Sequence, residues 1–260
     1  MANIVKISPK AQKRLKSGHL WIYEDELISK QPELDGEIVR IETPKKEFLG
    51  FGFYSHQSKI SVRILSYSPE IPEREFFRER IRTAKQKRKN RIAKQSAIRL
   101  INAEGDFLPG LIADWYAGQI VVQCLIPGTD KRKELFAELI WEEFEPDGLW
   151  FKNDSSVREL EGLSLEKFFW KGIEKEEVII QEEKIKFLVN LKEGHKTGAY
   201  LDQQENRIRA GELAKGRCLD AFCFQGGFAL HLAQKAQEVI AVDSSASAVA
   251  ILERNLELNQ

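Results

Sequence analysis

The chain has little cysteine, no long apolar run and no net charge, and each shortage removes a class of protein. Its three cysteines, Cys124, Cys218 and Cys223, are too few and too scattered for a disulfide framework. Without a Cys-x-x-Cys pair they offer no zinc site either, and a reducing, cytoplasmic setting is expected. No stretch reaches the roughly 18 apolar residues of a membrane-spanning helix, so no membrane partner is expected. The opening Met1-Ala2-Asn3-Ile4-Val5-Lys6 lacks the apolar core of a secretory signal. His19, His56 and His231 keep no metal-ligand spacing, and no metal is expected. The 40 basic and 40 acidic side chains cancel. That balance leaves nucleic acid open as a partner, because the distribution of charge matters more than its sum. Repeats and low-complexity tracts are missing. A hydrophobic content of 42% is ordinary for a folded chain of 260 residues, long enough for one large domain or two to three small ones.

What is present falls into three segments, 1–72, 73–178 and 179–260. In the first, Glu37-Ile38-Val39-Arg40-Ile41 and residues 59–65 alternate as strands do, and 48–54 is rich in glycine and aromatics. Gly36, Gly50 and Gly52 fall where turns or bulges belong. The spacing predicts a small β-rich unit, such as a barrel, behind a basic opening of Lys6, Lys10, Lys13, Arg14 and Lys16. The second segment opens with a charged helix over 73–95. Between Arg74 and Lys94 stand ten basic and two acidic side chains, a net +8. Phe77, Ile81 and Ala84 keep helical spacing, so one face packs. A strand hairpin over 111–115 and 119–125 and an acidic amphipathic helix over 131–144 follow, giving an α+β segment.

The third segment carries the chemistry. Residues 178–181 and 185–189 predict a hairpin, a loop over 192–201 leads into a helix over 202–214, and a short apolar strand ends at Asp220. Gly226-Gly227 precede a helix reaching about residue 235, and a second strand ends at Asp243, 23 residues after Asp220. Strand, glycine turn, helix, strand, acid and helix form the first half of a doubly wound sheet. Glycine lets backbone approach a ligand closely. A carboxylate at the second strand end suits the two ribose hydroxyls of an adenosine-containing ligand. G-x-G-x-x-G is absent, which disfavours a dinucleotide and an oxidoreductase. An acid before the turn suits a ligand with a cationic amino-acid group, such as S-adenosylmethionine. The plainer alternative is that Asp220 and the glycines serve the turn alone.

Three stretches carry a resemblance: Gly194-His195-Lys196-Thr197-Gly198-Ala199-Tyr200-Leu201-Asp202-Gln203-Gln204-Glu205-Asn206-Arg207, Leu219-Asp220-Ala221-Phe222-Cys223-Phe224-Gln225-Gly226-Gly227-Phe228 and Val242-Asp243-Ser244-Ser245. Together they resemble the large-subunit (23S) ribosomal RNA cytosine-C5 methyltransferase I family. Gly18-His19-Leu20-Trp21-Ile22-Tyr23 is similar to the opening of its RNA-binding PUA domain. Ile101-Asn102-Ala103-Glu104-Gly105-Asp106-Phe107-Leu108-Pro109-Gly110-Leu111 is similar to its central domain. The resemblance implies a multidomain α/β and α+β protein: a PUA-like barrel, a central α+β domain, and part of a Rossmann-like class I methyltransferase sheet. It implies S-adenosylmethionine as cofactor and ribosomal RNA as partner, and leaves a homodimer open. By residue, it implies a cofactor site of Lys196, Tyr200, Asp202, Arg207, Asp220, Phe222, Gly226, Gly227, Asp243 and Ser244. Asp220, Phe222 and Gly226 hold the methionine end, and Asp243 holds the ribose. Gln204, Ala199 and Gln225 depart from the family's usual arginine, bulkier residue and threonine. The family continues for well over a hundred residues, through an Asp-Pro-Pro motif and the attacking cysteine, so the resemblance implies a truncated chain.

Cytosine-C5 methylation needs a thiolate that adds to C6 of the base. Cys223 is the nearest candidate, although its place between Phe222 and Phe224 reads as packing; Cys218 and Cys124 read as core. The candidate RNA contacts are Lys13, Arg14, Lys16, Arg82, Lys85 and Lys89, set against a solvated helix face that pairs with the acids of 134–147. Trp21 reads as barrel core and residues 154–158 as a hydrogen-bonded polar turn. His195 is placed near the site with no acid–base role. The alternative function is a non-catalytic RNA-binding protein with a remnant methyltransferase fold.

Overall fold

Short alternating runs become the first five strands of the computed structural model, which describes residues 3–92 and 95–260. They are β1 (Asn3–Lys6), β2 (Trp21–Tyr23), β3 (Ile38–Glu42), β4 (Phe48–Tyr54) and β5 (Ile60–Ser66), with helix α1 (Pro9–Lys16) between β1 and β2. They form one sheet in the order β1-β3-β4-β5-β2, and an Ile7–Leu27 bridge draws its two ends together, as in a barrel. Inward positions carry Val5, Val39, Ile41, Val62 and Ile64, which pack with Ala11 and Leu15 of α1. The expected irregularities occur: pairing slips at Ile41/Glu42 and Phe51/Gly52. A Cβ on Gly52 would stand 2.6 Å from the Arg63 carbonyl oxygen, so only glycine lets the strands approach there. Trp21 corrects an expectation. Neighbouring strand residues face opposite ways, and Ile22 takes the inward slot. The Trp21 indole N–H instead reaches Glu104 Oε1 at 3.2 Å.

Helix α2 (Arg74–Ile92) follows, then β6 (Ala97–Asn102), β7 (Leu111–Tyr116), β8 (Gln119–Cys124), α3 (Pro127–Asp130), α4 (Lys133–Phe144), β9 (Gly148–Asn153), α5 (Val157–Leu160) and β10 (Glu166–Gly172). The second sheet runs β10-β9-β8-β7-β6. Lys94, counted in the basic run, lies outside the described residues. Phe77, Ile81 and Ala84 of α2 are buried as their spacing predicts, and Phe77 packs edge-on against Phe136 of α4 at 5.2 Å. The acids of α4 answer the bases of α2. Arg74 meets Glu138 and Glu142 at 2.7 and 3.0 Å, Arg78 meets Glu142 at 2.9 Å, and Arg82 meets Glu143 at 2.9 Å. The polar turn at 154–158 is more than a loop. It starts α5, and buried Arg158 donates to the carbonyls of Cys124 and Ser164.

The remaining elements are β11 (Glu177–Glu182), β12 (Ile185–Asn190), α6 (Gln204–Leu213), β13 (Arg217–Ala221), α7 (Gly227–Leu232), β14 (Glu238–Val242) and α8 (Ala246–Glu257). β11 and β12 are an antiparallel hairpin, and β13 and β14 a parallel pair, as parallel strands joined by a helix must be. A 3₁₀ turn at Leu201–Gln203 precedes α6, and α7 ends earlier than its sequence suggests. The described chain separates into two compact units. One comprises 1–89, 99–114 and 120–174; the other comprises 90–98, 115–119 and 175–260. All of the proposed cofactor residues lie in the second.

Candidate cofactor site

Parallel register sets the site. Asp220 pairs with Ala241 and Ala221 with Val242, so both strands end at the same edge and bring Asp220 and Asp243 there. One further bond, Cys223 N–H to the Val242 carbonyl at 3.0 Å, carries the pairing into the turn. The turn passes through left-handed conformations at Phe222, Phe224 and Gly226, with φ of 65°, 50° and 83°. For a bulky residue this costs about 1–3 kcal/mol, yet the Phe222 side chain is 89% exposed and gains little packing in return. The glycines are required from behind. A Cβ on Gly226 would stand 2.0 Å from Leu252 Cδ1, and one on Gly227 would stand 2.9 Å from Arg207 Cδ. Close packing on α8 and α6 accounts for both.

The two carboxylates are pushed in opposite directions. Burial raises the pKa of Asp220; the Ala229 N–H it accepts at 2.9 Å opposes that rise, and the nearby Asp243 adds to it. Asp243 accepts the Ser245 N–H on Oδ1 at 2.9 Å and the Phe224 N–H on Oδ2 at 2.8 Å, and these bonds hold it below the usual carboxylate range. Each Asp243 oxygen keeps a second lone pair, so hydroxyl donors can still bind there. Ser244 beside it is exposed.

The loop 195–202 wraps the turn. His195 packs 4.8 Å from the Phe224 ring and Tyr200 meets the same ring edge-on at 5.9 Å. His195 thus lies against the turn that follows β13. Lys196 lies 3.2 Å from both oxygens of Asp202 and 4.4 Å over the Tyr200 ring. Arg207 is occupied by partners other than Asp220 and Asp243. Its guanidinium grips Glu182 of β11 through two bonds, one of 2.9 Å, and donates to the Tyr200 carbonyl at 3.0 Å. His231 sits on the same carboxylate at 3.3 Å. Burial works to raise the Glu182 pKa, but His231 and Arg207 outweigh it and hold the group low. Asn255 of α8, fully buried, accepts the Leu188 N–H at 2.7 Å and donates to the Gln225 carbonyl at 3.0 Å. Gln204, the departure from the family pattern, is buried and accepts from Gln95 at 3.4 Å. Phe224, Gln225, Glu182 and Asn255 are additions that no sequence spacing singled out.

Comparison with known proteins now decides the family. Residues 5–67 match a PUA-like domain. The chain is 37% identical over 266 residues to ribosomal RNA large subunit methyltransferase I of Pseudoalteromonas atlantica, covering 100% of this chain and 67% of the relative. It is 35% identical over 269 residues to the enzyme of the same name from Tolumonas auensis, with 100% and 68% covered. The chain belongs to the ribosomal RNA large subunit methyltransferase I family. It spans about two thirds of the length of these curated relatives. A Streptococcus mutans protein described as a SAM-dependent methyltransferase superposes with a TM-score of 0.87 at 23% identity, over 99% of this chain and 67% of that one. A structure of SMU.776 complexed with SAH gives 0.85 at 23% identity, over 99% and 66%. These two likenesses establish the methyltransferase fold.

Within the methyltransferase I family reading, the cysteines and the basic residues find definite places. Cys223 is buried, and burial first, then Asp220 and Asp243, push its thiol pKa up, which opposes a thiolate. Cys124 is fully buried and its thiol is pushed up by that burial. Cys218, expected in the core, is half-exposed near the start of β13, at the opposite end of the strand from the site. Of the candidate RNA contacts, Arg14 turns inward to buried Glu26 at 2.6 Å and stacks over Tyr23. Lys16 meets Glu47 at 3.2 Å, Arg82 meets Glu79 and Glu143, and Lys85 donates to the Glu143 carbonyl. Lys13 and Lys89 are exposed. No cluster of histidine, cysteine and carboxylates among the described residues could hold a metal ion. No described helix is long and apolar enough to cross a membrane.

Proposed function

We propose that the second unit binds S-adenosylmethionine and that the protein methylates C5 of a cytosine in large-subunit ribosomal RNA. The observation that carries this reading is the pair of acids, Asp220 and Asp243, closing neighbouring parallel strands around one turn. The donor set fits the cofactor: Asp243 has lone pairs for ribose hydroxyls, and a second acid suits the ammonium of a methionine group. When bound, the cofactor supplies a methyl group carried on a sulfonium. In this reading Asp220, Phe222 and Gly226 hold its methionine end, Gly227 lies beside them, and Asp243 holds its ribose. Ser244 and the loop bearing Lys196, Tyr200 and Asp202 lie alongside, while Arg207 supports that loop from behind. Residues 1–72 bind RNA, 73–178 form a central domain and 179–260 contribute to the methyltransferase domain. The reacting base is presented unpaired, and Lys13 and Lys89 are the candidate phosphate contacts with exposed ammonium groups. A non-catalytic RNA-binding protein is the second reading, favoured by the burial of Cys223, which with Asp220 and Asp243 pushes its thiol pKa up and opposes a thiolate there.

Calorimetric titration with S-adenosylhomocysteine tests the site. Asp243→Ala weakens binding by about ten- to a hundredfold, the scale of lost hydrogen bonds to a charged group. Wild-type affinity in that variant removes Asp243 from the site.

A further inference from the structure

We propose that Tyr116 is a positioning residue for the cofactor loop, an inference that rests on the methyltransferase reading. Its phenol stands between three consecutive residues of that loop. The Tyr116 hydroxyl shares a hydrogen bond with Thr197 Oγ1 at 2.8 Å and accepts the Ala199 N–H at 3.2 Å. Gly198 lies between them with φ +146°, and a Cβ there would stand 3.6 Å from Tyr116 Cζ and 2.9 Å from Val189 Cγ1. Tyr116 and Thr197 are both fully buried. A buried phenol needs polar partners, and this one finds them in a loop 81 residues away in sequence.

Contacts connect that hydroxyl to the site. Ala199 leads directly into Tyr200, whose ring packs on Phe224. The Phe224 N–H is in turn one of the donors that orient Asp243. Lys196 and Asp202 flank the anchored stretch. The hydroxyl therefore fixes where the loop crosses the turn, and with it the position of Tyr200 against Phe224. Tyr116 touches no reacting atom and acts through Thr197 and Ala199.

Tyr116→Phe removes one oxygen and keeps the ring, so the fold is retained. In the 260-residue chain, S-adenosylhomocysteine affinity falls by about three- to tenfold, the scale of a neutral hydrogen bond. In the ligand-free protein, amide exchange at Ala199 accelerates while Leu188 and Ala241 keep their protection; a merely structural role would raise exchange at all three. Thr197→Val, an isostere without the hydroxyl, gives a similar loss, and the double variant loses less than the sum. Wild-type affinity with unchanged Ala199 exchange in Tyr116→Phe overturns the proposal, as do fully additive losses. If the wild-type chain takes up no S-adenosylhomocysteine, the cofactor reading falls by itself, and the Ala199 exchange rate still decides whether Tyr116 orders the loop.

Discussion

Replacing Asn255 with alanine should unfold the second unit well before any neighbouring substitution on the same helix does. The side chain is fully buried and serves two backbone groups at once, the Leu188 N–H at 2.7 Å and the Gln225 carbonyl at 3.0 Å. Alanine leaves both without a partner. An orphaned buried backbone group costs about 1–3 kcal/mol, and the partial exposure around Gln225 discounts the second, so the total is about 2–4 kcal/mol. With a urea slope of about 1–3 kcal/mol per molar, the midpoint falls by about 1–2 M. Asn259 is the internal control. In the turn just past the end of α8, it bonds the N–H and carbonyl of Lys186 in the same way, but at the exposed surface. Water replaces those bonds, and Asn259→Ala should cost less than about 1 kcal/mol. Asn255→Asp should not restore stability, since it sets an unpaired buried carboxylate against the Gln225 carbonyl oxygen. Urea titration monitored by amide exchange of Leu188 and Ala241 compares the three. Equal midpoints for Asn255→Ala and Asn259→Ala would refute the reasoning, because burial would then not decide the cost.

Two further outcomes follow from the same unit. Glu182 is held below the usual carboxylate range, so the stability it contributes is complete above about pH 4.3, the unperturbed glutamate value, and is lost as pH falls through its lowered folded value. Glu182→Gln should flatten the acid limb of the second unit's stability curve, and an acid-unfolding midpoint identical to wild type counts against the Arg207–Glu182–His231 cluster. Thiol labelling under native conditions should modify Cys218 first and leave Cys124 and Cys223 slow, in keeping with their burial. Rapid labelling of Cys223, read by mass spectrometry of the peptide, would contradict the closed turn.

The turn between β13 and β14 was legible because an apolar run ending in an acid, twice over, leaves few other folds for the backbone. Its supports were not. Asn255 and Glu182 look in sequence like ordinary helix and strand polar residues, and only tertiary packing shows what they hold. Tyr116 is hidden for the same reason, since its partners lie a third of the chain away. Arg207 fell on the expected helix, but spacing cannot tell a guanidinium aimed at a ligand from one aimed at a buried carboxylate. Trp21 and Ile22 show a one-residue ambiguity of a different kind, because in a three-residue strand alternation alone does not say which face is inside.

The facing of α2 and α4 changes what the chain's neutrality means. Arginines and glutamates that meet across two helices neutralise each other on the spot, so cations in solution gain little by condensing there. Removing acids from α4 would therefore turn a locally silent surface into an attractive one for polyanions, without adding a single lysine or arginine.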